Sequence, residues 1–346
     1  MNFIERIEAN KRPYFIAEIG INHNGDMNLA REMIDAAAEN GADCVKFQSF
    51  IVDKYISPIA GKADYQQQIE FSDQSQNEII KACEITVEQA EMLNSYSKSK
   101  NIEFLSTPFE VWSLRELISL GLPAIKISSC NLTNYPFLEE AADSGTPILL
   151  STGMANLEEV IRAVEIFKKA GSPLLVFQCT SNYPSRPDNA NLNVIPTYRT
   201  LFDVPVGLSD HTPTHTTCIV AAALGAVAFE KHFTLSRDLP GIDQTASIEP
   251  DELKGLIVQL NEAHQSLGSA IKIRTDEEEN TAIALRRSLV AAHDLQPGEV
   301  LSEDSIAIMR PGNGLAPEYL PQLIGRRLTQ PVGMNALLSL DNFLAS

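Results

Sequence analysis

The sequence predicts a (β/α)8 barrel followed by a small, mostly β domain, and three observations carry that prediction. A short β-branched run, a polar loop and an amphipathic helix recur eight times in roughly 270 residues, the size of a closed barrel of this kind. No G-x-G-x-x-G follows the first run, which argues against a doubly wound dinucleotide-binding sheet. Beyond the acidic run Asp276-Glu-Glu-Glu-Asn280 the spacing changes to short strands and tight turns.

Taken in order, Tyr14–Gly20 reads as the first strand. Leu29–Asn40 follows as a helix with Ala30, Met33, Ile34 and Ala37 on one face, stopped by Gly41. Cys44–Gln48 is the second strand, and Thr86-Val-Glu-Gln89 forms a capping box that opens the next helix. Strands three to eight are Glu103–Thr107, Ala124–Ser128, Ile148–Thr152, Pro173–Cys179, Val206–Ser209 and Ala228–Phe233. Helices near Glu110–Leu120, Tyr135–Ser144, Leu157–Ala170, Leu192–Leu201 and Thr214–Leu224 separate them. The last helix opens at Pro250, a favourable first helical residue, and turns Leu253, Leu256, Ile257, Leu260 and Leu267 inward. Trp112 and Met154 are assigned to the core. The barrel occupies 1–275, and 276–285 is a solvated linker or the start of a helix. The appendage is 286–346, with Ser288–Ala292 strand-like and Gln296-Pro-Gly298 and Arg310-Pro-Gly-Asn-Gly314 as turns.

The charge balance narrows the partners. The 346 residues carry Lys+Arg 27 against Asp+Glu 45, a net charge of −18, so there is no basic footprint for nucleic acid. An acidic surface also repels anionic lipid, so an anionic ligand must be captured by a local positive site. No apolar stretch approaches a membrane span, and Met1–Arg12 has no apolar core of a signal peptide. The five cysteines are scattered without a C-x-x-C pair and read as reduced thiols of a cytoplasmic protein.

A barrel of this class works at the C-terminal ends of its strands. Those ends offer Glu18, Lys46 with Gln48, Ser106-Thr107, Lys126 with Ser128 and Ser129, Ser151-Thr152, Cys179-Thr180-Ser181, Ser209-Asp210-His211 and Glu230-Lys231-His232. One strand lysine alone would more often point outward into an ion pair, because strand residues alternate faces. Two of them, Lys46 and Lys126, with the hydroxyls of Thr107, Ser129, Ser151 and Ser209 beside them, point to a site for a small phosphorylated carboxylate. Lys231 alternates with Glu230 and His232 and is the outward one. His211 and His232 end adjacent strands about 4.8 Å apart, so two imidazoles can converge on one divalent metal whose remaining positions water or substrate completes. His23 is a weaker candidate, since Asn22-His-Asn-Gly25 is also an ordinary turn sequence. Glu18 can serve as acid, base or hydroxyl acceptor, and Asp243 can bind hydroxyls.

At this point the motifs resemble the sialic acid synthase family, the phosphoenolpyruvate-dependent synthases of nonulosonic acids. The resemblance runs through Ala17-Glu-Ile-Gly-Ile-Asn-His-Asn-Gly25, Val45-Lys-Phe-Gln48, Leu105-Ser-Thr-Pro-Phe109, Ser151-Thr-Gly-Met154, Cys179-Thr-Ser-Asn-Tyr-Pro184, Gly207-Leu-Ser-Asp-His211 and Glu230-Lys-His-Phe233. It implies the same barrel followed by an antifreeze-like (SAF) domain, whose signature Arg310-Pro-Gly-Asn-Gly314 and Asp294-Leu-Gln-Pro-Gly-Glu299 resemble. It implies a domain-swapped homodimer in which Arg310 reaches the neighbour's sugar. Lys46, Thr107, Lys126, Ser129, Ser151, Ser209 and His211 match positions that hold phosphoenolpyruvate, and Ser181 falls in the same set. His211 and His232 match ligands of a divalent metal, Mn2+ first, with Mg2+ or Co2+ as alternatives. Glu18, Gln48, Tyr183, Asp243 and Arg310 match positions around the acyl-amino sugar.

The implied reaction is an aldol-like condensation with C–O cleavage. C3 of phosphoenolpyruvate attacks the open-chain sugar aldehyde, water adds at C2, and phosphate leaves. Glu18, Lys46, Lys126 and His211 are the implied catalytic group. The implied sugar is N-acetylmannosamine or a 2,4-diacetamido-2,4,6-trideoxy hexose, with the pseudaminic acid branch as alternative. Three departures from the family pattern fall near that sugar: Lys126-Ile-Ser-Ser-Cys130-Asn131 lacks a carboxylate, Ser181 replaces an asparagine, and Ile242 replaces a proline. Two rival readings are a Schiff-base aldolase on Lys46 or Lys126, which predicts borohydride trapping and no metal, and a non-catalytic sugar-binding module.

Overall fold

Eight parallel strands form one sheet in the computed structural model, which describes residues 1–57 and 76–343. They are β1 (Tyr14–Gly20), β2 (Cys44–Ser49), β3 (Glu103–Pro108), β4 (Ile125–Ile127), β5 (Ile148–Ser151), β6 (Leu174–Cys179), β7 (Val206–Asp210) and β8 (Ala228–His232). The hydrogen-bonded order is β3-β2-β1-β8-β7-β6-β5-β4, and β3 lies beside β4, closing the ring. These are the eight strands read from the sequence, with ends shifted by a residue or two.

The strands are apolar on both faces, as a buried parallel sheet requires. On β1, Phe15, Ala17 and Ile19 join the layer between strands and helices. Tyr14 and Ile16 alternate with them and pack on the barrel axis with Cys44, Leu105, Ala124, Leu149, Leu175, Phe177 and Ala228. Gly207 on β7 makes room in this inner layer: a Cβ there would stand 2.5 Å from the ring of Phe177. The N-terminal end of the barrel is closed by α1 (Phe3–Ala9), an element the sequence reading did not anticipate. Asn2 and Glu5 form its capping box, and Phe3, Ile4 and Ile7 enter the inner cluster, Phe3 edge-on to Tyr14 at 5.6 Å.

The outer helices are α2 (Met27–Glu39), α3 (Val52–Tyr55), α4 (Gln76–Ala82), α5 (Val87–Ser99), α6 (Val111–Ser119), α7 (Tyr135–Asp143), α8 (Leu157–Ala170), α9 (Val194–Phe202), α10 (Thr216–Ala223) and α11 (Pro250–Leu267). The expected face of α2 is buried, and the Thr86/Gln89 capping box opens α5. Three core assignments are corrected. Trp112 is 47 % exposed, because α6 buries Ser113, Leu114 and Leu117 and position 112 lies off that face; its ring lies 3.9 Å from the Lys54 ammonium. Met154 is 71 % exposed, carried outward by a loop with φ +63° after β5. On α11, Leu253, Leu256 and Leu260 are buried, but Ile257 is only partly so and Leu267, the final residue of the helix, is exposed.

Contacts divide the chain into two compact units, Met1–Gly268 and Ser269–Ser346. In the second, α12 (Asp276–Leu285) occupies the stretch read as a linker or helix start. Its acidic run forms the first turn, where the helix dipole favours negative charge, behind a Thr275/Glu278 capping box. Only β9 (Ser288–Ala291) and β10 (Ile306–Met309) pair as strands among the described residues, so the unit has less β structure than expected. Isolated bridges, turns and the short α13 (Leu320–Leu323) complete it around Leu289, Leu295, Leu301, Leu328 and Leu338. The Arg310–Gly314 loop is pinned: the Ser288 hydroxyl donates to Pro311 O (2.7 Å) and accepts from Gly314 N (2.9 Å), while Gly312 N donates to Ile283 O (2.6 Å). Among the described residues no helix is long and apolar enough to cross a membrane.

Candidate active site

Alternation that puts Tyr14 and Ile16 on the barrel axis also puts Glu18 there, one layer higher, and the same parity turns Lys46, Gln48, Thr107, Lys126, Ser151, Ser209 and Glu230 inward. With loop residues they line one cavity of about 460 Å³. Every residue singled out in the sequence for the reaction lines it except Arg310, which is exposed in the second unit directly after β10.

The floor of the cavity is a buried group of four charges. Lys46 Nζ lies 2.6 Å from Glu18 Oε2 and 3.7 Å from Glu230 Oε1, and donates to Thr107 Oγ1 at 2.8 Å. Lys126 Nζ donates to both Glu230 oxygens at 2.7 Å and sits 5.0 Å above the Phe177 ring. Ser209 donates to Glu230 and Gln48 to Glu18, each at 3.1 Å. Both ammoniums are thus held among carboxylates and hydroxyls at the floor of the cavity that they line.

Burial alone would raise Glu230, but the ammoniums of Lys126 and Lys46 outweigh it and hold the carboxyl down to about 2. Glu18 is raised instead: burial, joined by the like charge of Glu230, outweighs Lys46. Burial also opposes the charge on Lys46, yet Glu18 and Glu230 raise it, whereas Lys126 is lowered by burial against the pull of Glu230. The two carboxyls thus diverge, one a fixed anion and one able to take a proton.

A hydroxyl rim stands above these charges. Ser129 Oγ accepts from Gly153 N at 2.9 Å, and Ser151 Oγ is buried with no hydrogen-bond partner. A Cβ on Gly153 would come within 2.2 Å of Ser181 Oγ and 2.9 Å of Ser129 Oγ, so only glycine lets the loop close up to these hydroxyls.

The two histidines stand across the cavity with ring centroids 5.6 Å apart; the Tyr183 ring is 4.1 Å from His211 and edge-on to His232 at 5.5 Å. His211 Nδ1 lies 2.7 Å from Thr180 O, which fixes that nitrogen as donor; burial opposes a charge on this ring, but Cys179 and the Thr180 carbonyl raise it above the usual imidazole range. His232 Nδ1 is buried without a hydrogen bond, its nearest carboxylate oxygen being Asp243 Oδ2 at 3.8 Å. Burial and the neighbouring charge of His211 hold His232 well below the usual imidazole range, hence neutral, while burial pushes Asp243 up to about 6. A buried imidazole nitrogen without a hydrogen bond, with a second imidazole ring 5.6 Å away, fits a divalent cation with open coordination positions. Among the described residues no group of three His, Cys, Asp or Glu gathers as a closed metal cage.

His23 is not part of the site: it is fully buried against Phe47, its Nδ1 accepting from Gly25 N at 3.1 Å. Lys231 faces away from the cavity and is buried in an ion pair with Asp210 at 2.6 Å. Asn131, at the missing carboxylate, donates to Phe109 O at 3.1 Å and so ties down the neighbouring loop. Sequence reasoning assigned no role to Glu230, although its alternation with Lys231 already placed it inward. It also missed the apolar wall of Ile21, Phe50 and Phe109, which Ile242 completes; these lie in loops, where no period reveals them.

Fold and site together define a barrel with a charged, hydroxyl-lined cavity at the C-terminal ends of its strands, where enzymes of this fold class work. The NeuB family matches residues 33–272, and the SAF domain matches 286–344. The chain is 38% identical over 330 residues to the N,N'-diacetyllegionaminic acid synthase of Legionella pneumophila, covering 94% of this chain and 93% of that one. It is 39% identical over 323 residues to the enzyme of the same name from Campylobacter jejuni, covering 92% and 97%. Among solved structures, the N-acetylneuraminic acid synthetase of Leptospira borgpetersenii in complex with citrate aligns with TM-score 0.68 and 36% identity over 78% of this chain and 90% of that one. The chain belongs to the NeuB family.

Proposed function

We propose that this chain is a nonulosonic acid synthase that condenses phosphoenolpyruvate with an N-acyl amino sugar, yielding a nine-carbon acid and phosphate. The observation that carries the reading is the pair of buried lysines lining the same cavity as the hydroxyl rim and the two histidines. Lys46 and Lys126 hold the phosphate and carboxylate oxygens and stabilise charge as it moves between them. Ser129, Ser151, Ser181, Thr107 and Ser209 supply the shorter contacts. C3 of phosphoenolpyruvate bonds to the aldehyde carbon, water adds at C2, and the C2–O bond to phosphate breaks. Glu18, oriented by Gln48, handles the proton at the aldehyde oxygen or at the water. Tyr183 and Asp243 face the sugar. His211 and His232 would hold a divalent cation, Mn2+ first, which supplies Lewis-acid polarisation of the sugar carbonyl.

Within the family the legionaminic branch is favoured. Two relatives named for diacetyllegionaminic acid support it, and the wall of Ile21, Phe50, Phe109 and Ile242 suits the methyl of a 2,4-diacetamido-2,4,6-trideoxy hexose better than a hydroxyl. The enzyme is further proposed to act in the cytoplasm as a domain-swapped homodimer, with Arg310 of one subunit serving the partner's sugar. A Schiff-base aldolase is disfavoured because both lysines lie against carboxylates, which favour the ammonium, and an ammonium has no lone pair for the carbonyl.

Phosphate release from phosphoenolpyruvate with Mn2+, using N-acetylmannosamine and the diacetamido-trideoxy sugar separately, tests this, with mass spectrometry of the product. Faster release with the trideoxy sugar and a nine-carbon acid is expected. Release with neither overturns the reading.

A further inference from the structure

A buried ion pair that the proposed reaction does not use stands directly behind the two histidines. β7 and β8 pair with Ser209 opposite Glu230 and Asp210 opposite Lys231. Alternation sends the first couple into the barrel, where Ser209 donates to Glu230, and the second outward, where Lys231 Nζ meets Asp210 Oδ2 at 2.6 Å. The next couple, His211 and His232, faces the cavity again. Asp210 and Lys231 are both buried and neither lines the cavity. The Lys231 ammonium also donates to Thr212 O, and Asp210 accepts from Thr212 N at 3.1 Å and from Thr217 Oγ1 at 3.0 Å. His211 is therefore fastened on both flanks, at 210 and 212, to the residue that precedes His232.

Stability does not account for this pair. Taking two charges out of water costs about what their attraction returns, and an apolar pair of similar volume is often as stable. The strands are already joined by their ladder and by the Ser209–Glu230 contact. What an apolar pair would lack is the directed bonding that fixes both sides of one histidine against the residue before the other.

We propose that Asp210 and Lys231 are positioning residues for the His211–His232 couple, setting from the outer face of the barrel how the two imidazoles meet a divalent cation. The inference rests on the proposed metal and gives the ion pair no contact with it.

The test uses the full chain, a double variant carrying Asp210→Asn and Lys231→Met, and Phe3→Ala as a control destabilised at the opposite end of the barrel. Mn2+ is titrated into each, with the free ion read by electron paramagnetic resonance, beside a melting curve. The double variant keeps the volume of the pair and removes its charges. It is expected to hold its melting temperature and to bind Mn2+ about tenfold more weakly, the scale on which groups behind metal ligands act. Phe3→Ala should melt lower and bind as the parent does. Should the double variant not fold, Asp210→Asn alone, which changes almost no volume, carries the same readout. Unchanged Mn2+ binding in the variant, or a loss that Phe3→Ala shares, overturns the proposal. Should the parent bind no Mn2+, the metal reading falls, and proton spectra of the metal-free chains decide the pair separately. The ring proton on His211 Nδ1, held by Thr180 O, should be seen in the parent and in Phe3→Ala and lost to exchange in the double variant. Its retention there overturns the positioning role.

Discussion

The two ends of the barrel interior are built on one alternation and opposite chemistry. At the N-terminal end the inward positions are Tyr14, Ile16, Cys44, Leu105, Leu149 and Leu175, sealed by Phe3, Ile4 and Ile7 of α1. Two residues further along the same strands stand Glu18, Lys46, Thr107, Ser151 and their neighbours, four of them charged with Lys126 and Glu230. The difference teaches a division of labour. The lower layers supply the apolar burial, of order 25 cal/mol per Å² removed from water, that offsets the cost of holding charges in the upper one.

The largest expected effect comes from breaking the upper layer. Lys126→Met leaves Glu230 without its closest ammonium, so the urea midpoint should report a loss of about 3 kcal/mol, and phosphate release should drop about a thousandfold. Adding Glu230→Gln should restore most of the stability and none of the activity. If it restores neither, the two residues are not coupled as their 2.7 Å contacts require.

Breaking the lower layer should do the reverse. Phe3→Ala is expected to cost about 3 kcal/mol of stability while kcat and KM below the melting range stay within about twofold. A kinetic defect on the same scale would show that the seal reaches the chemistry.

The outer wall offers a third comparison, between a histidine packed as core and those facing the cavity. Burial holds His23 at about 4, below its unfolded value, so the unfolded chain takes up the proton first as pH falls. Its contribution is complete above about pH 6.5 and is lost toward pH 4; between pH 7 and 5 it amounts to about 2 kcal/mol. Urea melts at both pH values should show this difference shrinking by that amount in His23→Asn.

The smallest effect sharpens the upper layer. Gly153→Ala places a methyl against Ser181 and Ser129, whose hydroxyls can turn aside, so stability should move by less than about 0.5 kcal/mol. The KM for phosphoenolpyruvate should rise about tenfold, since a displaced hydroxyl is a lost hydrogen bond.

Most of the barrel was legible because its signal is local. Strand period and helix caps such as Thr86/Gln89 depend on residues a few positions apart. Both lysines could be placed on the cavity side because they stood beside hydroxyls at neighbouring strand ends, and both histidines because they end adjacent strands; the pleat's parity in the structure agrees. Glu230 obeyed the same parity, but its role was not legible: a carboxylate between two lysines on β2 and β4 is a relation across the barrel, invisible along the chain. α1 was missed although Asn2 and Glu5 spell a capping box, because its charged residues hid three apolar ones at helical spacing. Met154 went astray for a backbone reason, since its positive φ reverses the direction a side chain after β5 would otherwise take.

Gly207 gives the lower end a reach that its composition does not suggest. The edge of Phe177 rests in the space where a methyl on that glycine would be, and the face of the same ring lies under Lys126. The ring therefore works as a shim whose thickness is set from below. A single added carbon at position 207 would press on that ring and on the Ala228 carbonyl of β8, 2.6 Å away, and so disturb an ammonium that the carbon never touches; this alanine variant would be a site mutation made in the foundations.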